Sequence, residues 1–600
     1  MRELPVVVGP DLATDLDRLA AALRDGPGSL LLVAADLRVH PEALADLADD
    51  PRPGTAVLAS AVGEAPADLR VRAARVVAVA TPAHRAAPTE AAFAGALRVG
   101  AADRPVAAGA ADELAGLARR HGWSGDPLAY LVLGLVRSGT RVGVVLLDPW
   151  QWARGEGQAA LDVQQRLAAM DERAVRATRF RRAAKAQDAF VATFVHRPLA
   201  RRLTPLALRL GLTPNQVTML SVVLGLAAAA AFAVGARWAL VLGALLLQAS
   251  LVIDCVDGDV ARYRRMFSPL GAWLDASTDR LKEFACYGGL AWGAGAGRTG
   301  WVLAAAMLTL QTARHSLDYT FTTVKELREA EVVTAPLGEP GDPTTGSAPG
   351  LGPAPRAVEL SRRASAGRPA VVWTKKVLHL GIGERWTVLS LLALVGRPAL
   401  ALAVLLALGL GSLLYVGAGR ILRARAWAAE PVPEREHEIV AAQVDGAPLL
   451  PSAVAQRVAG GTHGEQRFLW ARPALLRVGE YAVVLLLTAT LPGEEAGAAA
   501  FALLLVVASH HYDGLYRVLQ GLRPPGPVAR ALGLGAPGRL VVVAVLALVG
   551  GAAGTGALWV LAAGLGILFL GVEPARLLRE VRSRGDLTDP STLSEGAAGA

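Results

Sequence analysis

The chain is poor in cysteine, in lysine and in charge altogether. Only Cys255 and Cys286 occur in 600 residues, both within apolar runs. That excludes a disulfide framework, and neither cysteine has a partner at metal-ligand spacing. Lysine occurs five times, at 185, 282, 325, 375 and 376, so the 61 basic residues are nearly all arginine and the formal net charge is +9. Charged residues make up 19% of the chain, below the ~25% usual in soluble domains. The opening stretch MRELPVVVGPDLATDLD is charged and lacks an apolar core, so no signal peptide is expected. What is abundant is apolar: 53% of residues are hydrophobic and the mean hydropathy is +0.38, which indicates a membrane protein. The arginines gather at the ends of apolar runs, as membrane topology requires, so nucleic acid is not an expected partner.

Against that background the most informative segment is 254–279, DCVDGDVARYRRMFSPLGAWLDASTD. It sets four carboxylates, Asp254, Asp257, Asp275 and Asp279, in or beside runs long enough to cross a bilayer. A carboxylate at membrane depth is costly and normally marks a functional site. On a helix, Asp254 and Asp257 are i, i+3 and Asp275 and Asp279 are i, i+4, so each pair shares a face. Gly258 and Ala261 continue the first face, and Gly271 lies one turn before Asp275. Small residues there let two helix backbones approach closely. Two carboxylate pairs on facing helices then form a cage for hard divalent cations.

The spacing Asp-x2-Asp-Gly-x2-Ala-Arg-x8-Gly-x3-Asp-x3-Asp resembles the signature of the CDP-alcohol phosphotransferase family. Every fixed position is matched, by Asp254, Asp257, Gly258, Ala261, Arg262, Gly271, Asp275 and Asp279. TPNQVT (213–218) resembles the family's motif at the cytidine pocket, through Pro214, Asn215 and Thr218. Pro214 equally suits a helix start, and Asn215 either a cap or a reader of the base edge. The resemblance implies Mg2+ or Mn2+, two ions, held by Asp254, Asp257, Asp275 and Asp279, with Asp279 also taking the acceptor's proton. Gly258, Ala261 and Gly271 would line the nucleotide site with Pro214, Asn215 and Thr218. Arg262 would face a phosphate or pair with an Asp.

The chain divides into four parts. Residues 1–165 alternate short apolar runs (6–9, 29–36, 55–60, 75–80, 141–148) with helical stretches, which predicts a soluble α/β domain with a mostly parallel sheet. The run LLLVAADLRVHPEALADL is similar to the Asp-bearing strand and helix of sugar-nucleotide and cytidylyl transferases, in which Asp36 would hold a metal. Yet VVVGPDLATDLD, after the first strand, offers one glycine and three acids where a phosphate cradle needs glycines and basic residues. The domain therefore reads as a degenerate, inactive relative. Residues 166–212 form an arginine-rich amphipathic segment, suited to an anionic membrane surface or to a solvated connector.

Residues 213–425 form the six-helix core, with apolar segments near 216–235, 238–257, 270–292, 301–322, 384–397 and 400–419 and a Pro/Gly/Ser-rich loop at 339–369 expected to be disordered. Residues 426–600 add a membrane domain of four further segments, near 477–491, 497–509, 537–552 and 556–572. Within it HHYDGLYR (510–517) places two histidines on different helix faces, which favours anchoring at the membrane interface over a metal site.

Basic clusters at 180–209, 262–265, 325–328, 420–425, 517–523 and 576–584 share one side of a ten-span topology, with both termini and the motif facing the cytoplasm of a cell (inner) membrane protein. The expected reaction moves a substituted phosphate from a CDP-alcohol to an acceptor hydroxyl and releases CMP, in phospholipid or inositol-phosphate-type biosynthesis. Lys325, Arg385 and Arg420, near core helix ends, would hold an anionic acceptor or serve topology. The expected partners are the CDP-alcohol donor, the acceptor, the lipid bilayer and, in a homodimer, a second copy. A bifunctional cytidylyltransferase/phosphotransferase and a non-catalytic scaffold are the alternatives.

Overall fold

The chain is seen in a computed structural model that describes residues 2–50, 54–61, 68–72, 74–84, 86, 89–185, 188–295, 297–331, 360, 364–365, 368–426, 434–444 and 466–583. Most of the loop expected at 339–369 lies outside the described residues, as do the C-terminal 17 residues, 584–600.

Seven strands form one sheet near the N-terminus: β1 (Arg2–Val6), β2 (Leu30–Ala34), β3 (Thr55–Ala61), β4 (Leu69–Arg72), β5 (Arg75–Val79), β6 (Ala91–Val99) and β7 (Val142–Leu146). Their order is β1-β2-β6-β3-β7-β5-β4. Only β1–β2 and β3–β7 are parallel, so the sheet is mixed and the mostly parallel expectation is corrected. The reason is β6, AAFAGALRV, which runs antiparallel to both β2 and β3 and is buried along its whole length. Its alanines and glycine are poor strand formers, so tertiary burial decides its conformation. Helices α1 (Leu12–Arg24), α2 (Pro41–Ala48), α3 (Arg104–His121) and α4 (Pro127–Arg137) cover the sheet. Leu16, Leu32, Leu58, Leu97, Leu131 and Val142 form the centre of that core.

Beyond α5 (Gln158–Ala168), α6 (Glu172–Ala183) and α7 (Arg197–Arg209) the chain is a helical bundle. It comprises α8 (Pro214–Val234), α9 (Arg237–Arg264), α10 (Pro269–Gly293), α11 (Gly297–Glu331), α12 (Pro369–Leu378), α13 (Ile382–Leu394) and α14 (Pro398–Ala426). After α15 (Glu434–Ala442) come α16 (Arg472–Thr488), α17 (Glu494–Leu519), α18 (Pro527–Leu532), α19 (Gly535–Val549), α20 (Gly551–Gly566) and α21 (Glu573–Ser583). Among the described residues, six stretches are long and apolar enough to cross a membrane, or seven if α12 and α13, bent by 67° at their junction, count as one broken span. The chain is a multi-pass helical membrane protein with an N-terminal α/β region. The expected spans 270–292, 301–322 and 477–491 are helices too, but they fall outside the six. Each carries buried charge: Arg280, Lys282 and Glu283 on α10, Arg314 on α11, Arg477 and Glu480 on α16.

One continuous apolar cluster joins Phe232, Trp273, Tyr287 and Trp386 to Tyr481, Phe501, Tyr512 and Phe569, so the C-terminal helices close over α10 and α11. The expected interfacial anchoring of His510 and His511 is corrected here, because both are buried. His510 stacks on Phe569 at 3.9 Å, and His511 Nδ1 shares a 2.8 Å hydrogen bond with the Tyr481 hydroxyl.

The α/β region is tied to the bundle through charge. Arg265, in left-handed conformation (φ 56°) at the C-terminal end of α9, pairs with Glu42 and reaches Asp46 at 2.8 Å. Arg182 of α6 pairs with the same Asp46 at 2.6 Å, and Arg179 with Glu42 at 3.4 Å. The acidic face of α2 thus sits on three arginines beside the bundle. Burial pulls the Arg182 guanidinium below its ordinary pKa while Asp46 opposes that effect. Such half-buried pairs contribute about 1 kcal/mol each and weaken with salt. Asp46→Ala should therefore speed trypsin cleavage of the 166–190 connector several-fold, and high salt should do the same to the wild type. An unchanged cleavage rate in the variant would refute the docking contact.

Candidate metal centre

Three helices build the site. Thr213 caps α8, accepting from Gln216 N at 3.4 Å while the Gln216 side chain accepts from Thr213 N at 2.9 Å, a reciprocal capping box with Pro214 at the first turn. Asn215 is not the cap. It is exposed, its Oδ1 3.1 Å from where a Cβ at Gly271 would sit. Ser268 caps α10 by accepting from Gly271 N at 2.9 Å. The helices approach closely because glycines line the α8–α10 crossing: a Cβ at Gly289 would lie 2.2 Å from Ala229 O, and one at Gly293 2.0 Å from Phe232 O.

With α8 packed against both α9 and α10, Asp254 and Asp257 of α9 meet Asp275 of α10, one carboxylate oxygen from each lying within 4.8 Å of the others. Thr218 donates to Asp257 Oδ2 at 2.6 Å, and Ser221 to Asp254 Oδ1 at 3.0 Å. Asp275 Oδ1 is buried without a hydrogen-bond partner, as an oxygen awaiting a cation would be. Acid-only donors of this kind fit a hard divalent ion. The expected four-carboxylate cage is, however, a triad. Asp279 stands outside it, ion-paired to Lys282 Nζ at 2.9 Å and to Arg280 at 3.8 Å.

Lys282 was not anticipated as a site residue. Its side chain is fully buried, and its ammonium also donates to Asp254 Oδ1 and Ser221 Oγ, both at 2.7 Å. The signal was present: one of only five lysines falls inside an expected span, three residues after Asp279, where a cation needs a carboxylate partner. Ser221, one turn beyond Thr218, left no such mark.

The remaining expected residues separate. Arg262 resolves its open alternative toward an Asp, because it pairs with Asp259 at 2.8 Å and donates to Ala183 O. Gly258 is needed under it, since a Cβ there would lie 3.1 Å from the guanidinium; Ala261 is half-buried on the same helix. Arg385 and Arg420 are each paired with a carboxylate. Arg385 is buried and grips Glu283 through Nε at 2.6 Å and Nη2 at 2.9 Å, and Arg420 pairs with Asp318 over the Phe321 ring. Each guanidinium is engaged by a carboxylate of a neighbouring helix. Lys325 is half-buried on α11. Asp36 accepts from Gly155 N at 2.9 Å and pairs with Arg154 at 3.0 Å. Asp126 then Asp36 hold the Arg154 pKa above its ordinary value against the opposing effect of burial.

Comparison with known proteins follows this geometry. Residues 211–338 match the CDP-alcohol phosphatidyltransferase family, and residues 416–579 match a family of unknown function, DUF5941. A bifunctional IPC transferase and DIPP synthase of Aquifex aeolicus is 33% identical over 154 residues, 24% of this chain and 34% of that protein. An archaetidylinositol phosphate synthase of Methanothermobacter thermautotrophicus is 40% identical over 88 residues, 14% of this chain and 44% of its own. A phosphatidylinositol phosphate synthase of Mycobacterium marinum is 35% identical over 126 residues, 21% of this chain and 51% of its own. The chain thus spans about a third to a half of the length of these relatives. A solved structure, the inositol-1-phosphate CTP transferase from T. maritima, matches over 26% of this chain and 63% of its own at 14% identity, with a TM-score of 0.21, too low to establish a shared fold.

The close crossing is directly testable. Gly289→Ala should lower the thermal midpoint and cost about 1–3 kcal/mol, because a methyl cannot fit 2.2 Å from a carbonyl oxygen. Gly479→Ala on α16, with nothing within 4 Å of the added carbon, is the control and should be neutral. Equal midpoints for the two variants would count against the packing described.

Proposed function

With residues 211–338 a CDP-alcohol phosphatidyltransferase domain, we propose that the protein transfers a substituted phosphate from a CDP-alcohol to an acceptor hydroxyl and releases CMP. The observation that carries this reading is the triad Asp254, Asp257 and Asp275, buried at Asp257 and half-buried at the other two, with a buried, unpartnered oxygen on Asp275. These residues hold a divalent cation, Mg2+ or Mn2+. Such an ion supplies neutralisation of the pyrophosphate charge and a template for in-line displacement.

The chain's own residues do the rest. Thr218 and Ser221 fix the carboxylate rotamers of Asp257 and Asp254. Asn215, exposed beside Gly271, is placed to read the cytidine edge, with Pro214 setting its turn and Gly258, Ala261 and Gly271 leaving room for the nucleotide. The acceptor oxygen attacks the phosphorus distal to the cytidine, the bond from that phosphorus to CMP breaks, and the acceptor's proton passes to Asp279. The acceptor class we infer is an inositol phosphate, supported by relatives named as inositol phospholipid synthases. Lys325, half-buried on α11, is one candidate for its phosphate.

The α/β region is proposed to be catalytically silent. Asp11 caps α1, accepting from Ala13 N at 3.3 Å and Thr14 N at 3.1 Å, and Asp15 accepts from Gly9 N at 2.6 Å. Carboxylates thus occupy the helix N-terminus and the preceding loop, where a nucleotide phosphate would bind. The proposed organisation is residues 1–165 as this region, 166–212 as the juxtamembrane connector, 213–425 as the core and 426–600 as the appended membrane domain. The proposed location is the cell (inner) membrane with the triad toward the cytoplasm.

Four measurements test these readings. CMP release in membranes, with a panel of CDP-alcohols and of acceptors including inositol phosphate, should depend on Mg2+ or Mn2+; robust turnover in excess EDTA would refute the mechanism. Asp257→Asn should fall to background, and Asp279→Asn should lose roughly 100-fold or more in kcat with donor KM little changed. Wild-type kcat in Asp279→Asn would remove it as the base.

The full chain given CTP and an alcohol phosphate should release no pyrophosphate; release that disappears in Asp36→Asn would revive the bifunctional reading. For topology, Thr299→Cys should react with an impermeant thiol reagent on intact cells, and Glu172→Cys and Arg425→Cys should not. The native Cys255 and Cys286 are buried and give no background. Labelling of Arg425→Cys alone among the latter two would make the bent α12–α13 pair re-entrant.

A further inference from the structure

The ammonium of Lys282 occupies a position that a metal ion would otherwise take. It is donated by the catalytic helix itself and held at 2.7 Å from Asp254 Oδ1, 2.9 Å from Asp279 Oδ1 and 2.7 Å from Ser221 Oγ. Two carboxylates from facing helices and a hydroxyl around one centre are the donor set of a hard cation. We propose that Lys282 is a built-in monovalent cation that fills the second cation position, so that the donor-free protein holds one divalent ion, on Asp254, Asp257 and Asp275, and not two. The inference rests on the phosphotransfer reading and refines the metal content of that same site.

The pocket around Lys282 is made for its stem. Gly225 of α8 lies against it, and a Cβ there would come 2.7 Å from Lys282 Cδ. The Trp386 ring stands 5.6 Å from the ammonium on another side. The residue is fully buried. A second divalent ion bridging Asp254 and Asp279 would have to displace this ammonium into an apolar bundle, where an unpaired cation is strongly disfavoured.

The two carboxylates are held differently. Lys282 donates a hydrogen bond to Asp254, which also belongs to the triad, and forms an ion pair with Asp279, which stands outside it. Lys282 is in this sense a positioning residue: it orients Asp279 beside the triad and sets the number of metal ions the site accepts.

The test counts metal ions directly, on full-length protein in nanodiscs without donor. Equilibrium dialysis against Mn2+ should give one tight site per chain, with the electron paramagnetic resonance spectrum of an isolated ion. Lys282→Met should raise the count to two and produce the exchange-coupled spectrum of two ions about 4 Å apart. Lys282→Gln, which keeps a polar tip, serves if the methionine variant does not fold. Two coupled ions in the wild type, or a count that stays at one in a folded Lys282 variant, would overturn this inference and leave the phosphotransfer reading intact. No Mn2+ site in the wild type, with none in Asp275→Asn either, would overturn the metal reading on which it rests.

Discussion

A carboxylate enclosed by apolar helices has to be met by a cation or by hydrogen-bond donors, and the bundle is arranged around that requirement. Asp254 and Asp257 on α9 and Asp275 and Asp279 on α10 face one another, so their charges would drive the helices apart if left alone. Thr218, Ser221 and Lys282 answer that repulsion from two sides. For those groups to reach, the backbones must come close, which is what Gly225, Gly289 and Gly293 permit. The glycines, the hydroxyls of α8 and the lysine are consequences of one electrostatic demand.

The same rule recurs away from the aspartate triad. Glu283, buried one residue after Lys282, is gripped by Arg385 and by Arg280 at 2.7 Å, and accepts from the Tyr287 hydroxyl at 2.6 Å. Glu480 on α16 is met by Arg539 at 2.7 Å, and Asp513 on α17 by Arg517 at 2.8 Å. The Glu283–Arg385 and Glu480–Arg539 pairs join different helices and so fix which helix sits beside which, since one misplaced charge in the bundle has no solvent to fall back on. They also explain why α10 and α16 are too charged to look like ordinary spans while belonging to the bundle.

Much of the centre was legible in the sequence because its spacing is rigid. Asp254, Asp257 and Asp275 converge as their helical register requires, and Gly271 lies beside α8 as a small residue at a crossing should. What escaped was set by partners distant in sequence. Nothing local to Arg385 announces Glu283, more than a hundred residues earlier, so the arginine read as either an acceptor ligand or a topology determinant. His510 and His511 read as interfacial because adjacent histidines point apart, yet Tyr481 and Phe569 meet them from two different helices. Strand β6 escaped because alanine carries little strand signal, and its antiparallel course made the sheet mixed. The helix content and the order of the elements followed hydrophobic period alone, and so they were visible.

The indole of Trp273, two residues before Asp275, donates to Asp513 Oδ1 at 2.8 Å; that carboxylate also holds Arg517, which approaches Glu573 at 3.7 Å. Helix α10 is therefore moored to segments that lie hundreds of residues downstream. A gene fission after α14 would not yield a smaller version of the same catalyst. It would strand a polar indole edge in lipid and leave α10 without its outer wall. The two segments form one mechanical unit, and an insertion or fusion that respects the chain's apparent modularity but cuts this mooring would loosen α10 even though it touches none of the four aspartates.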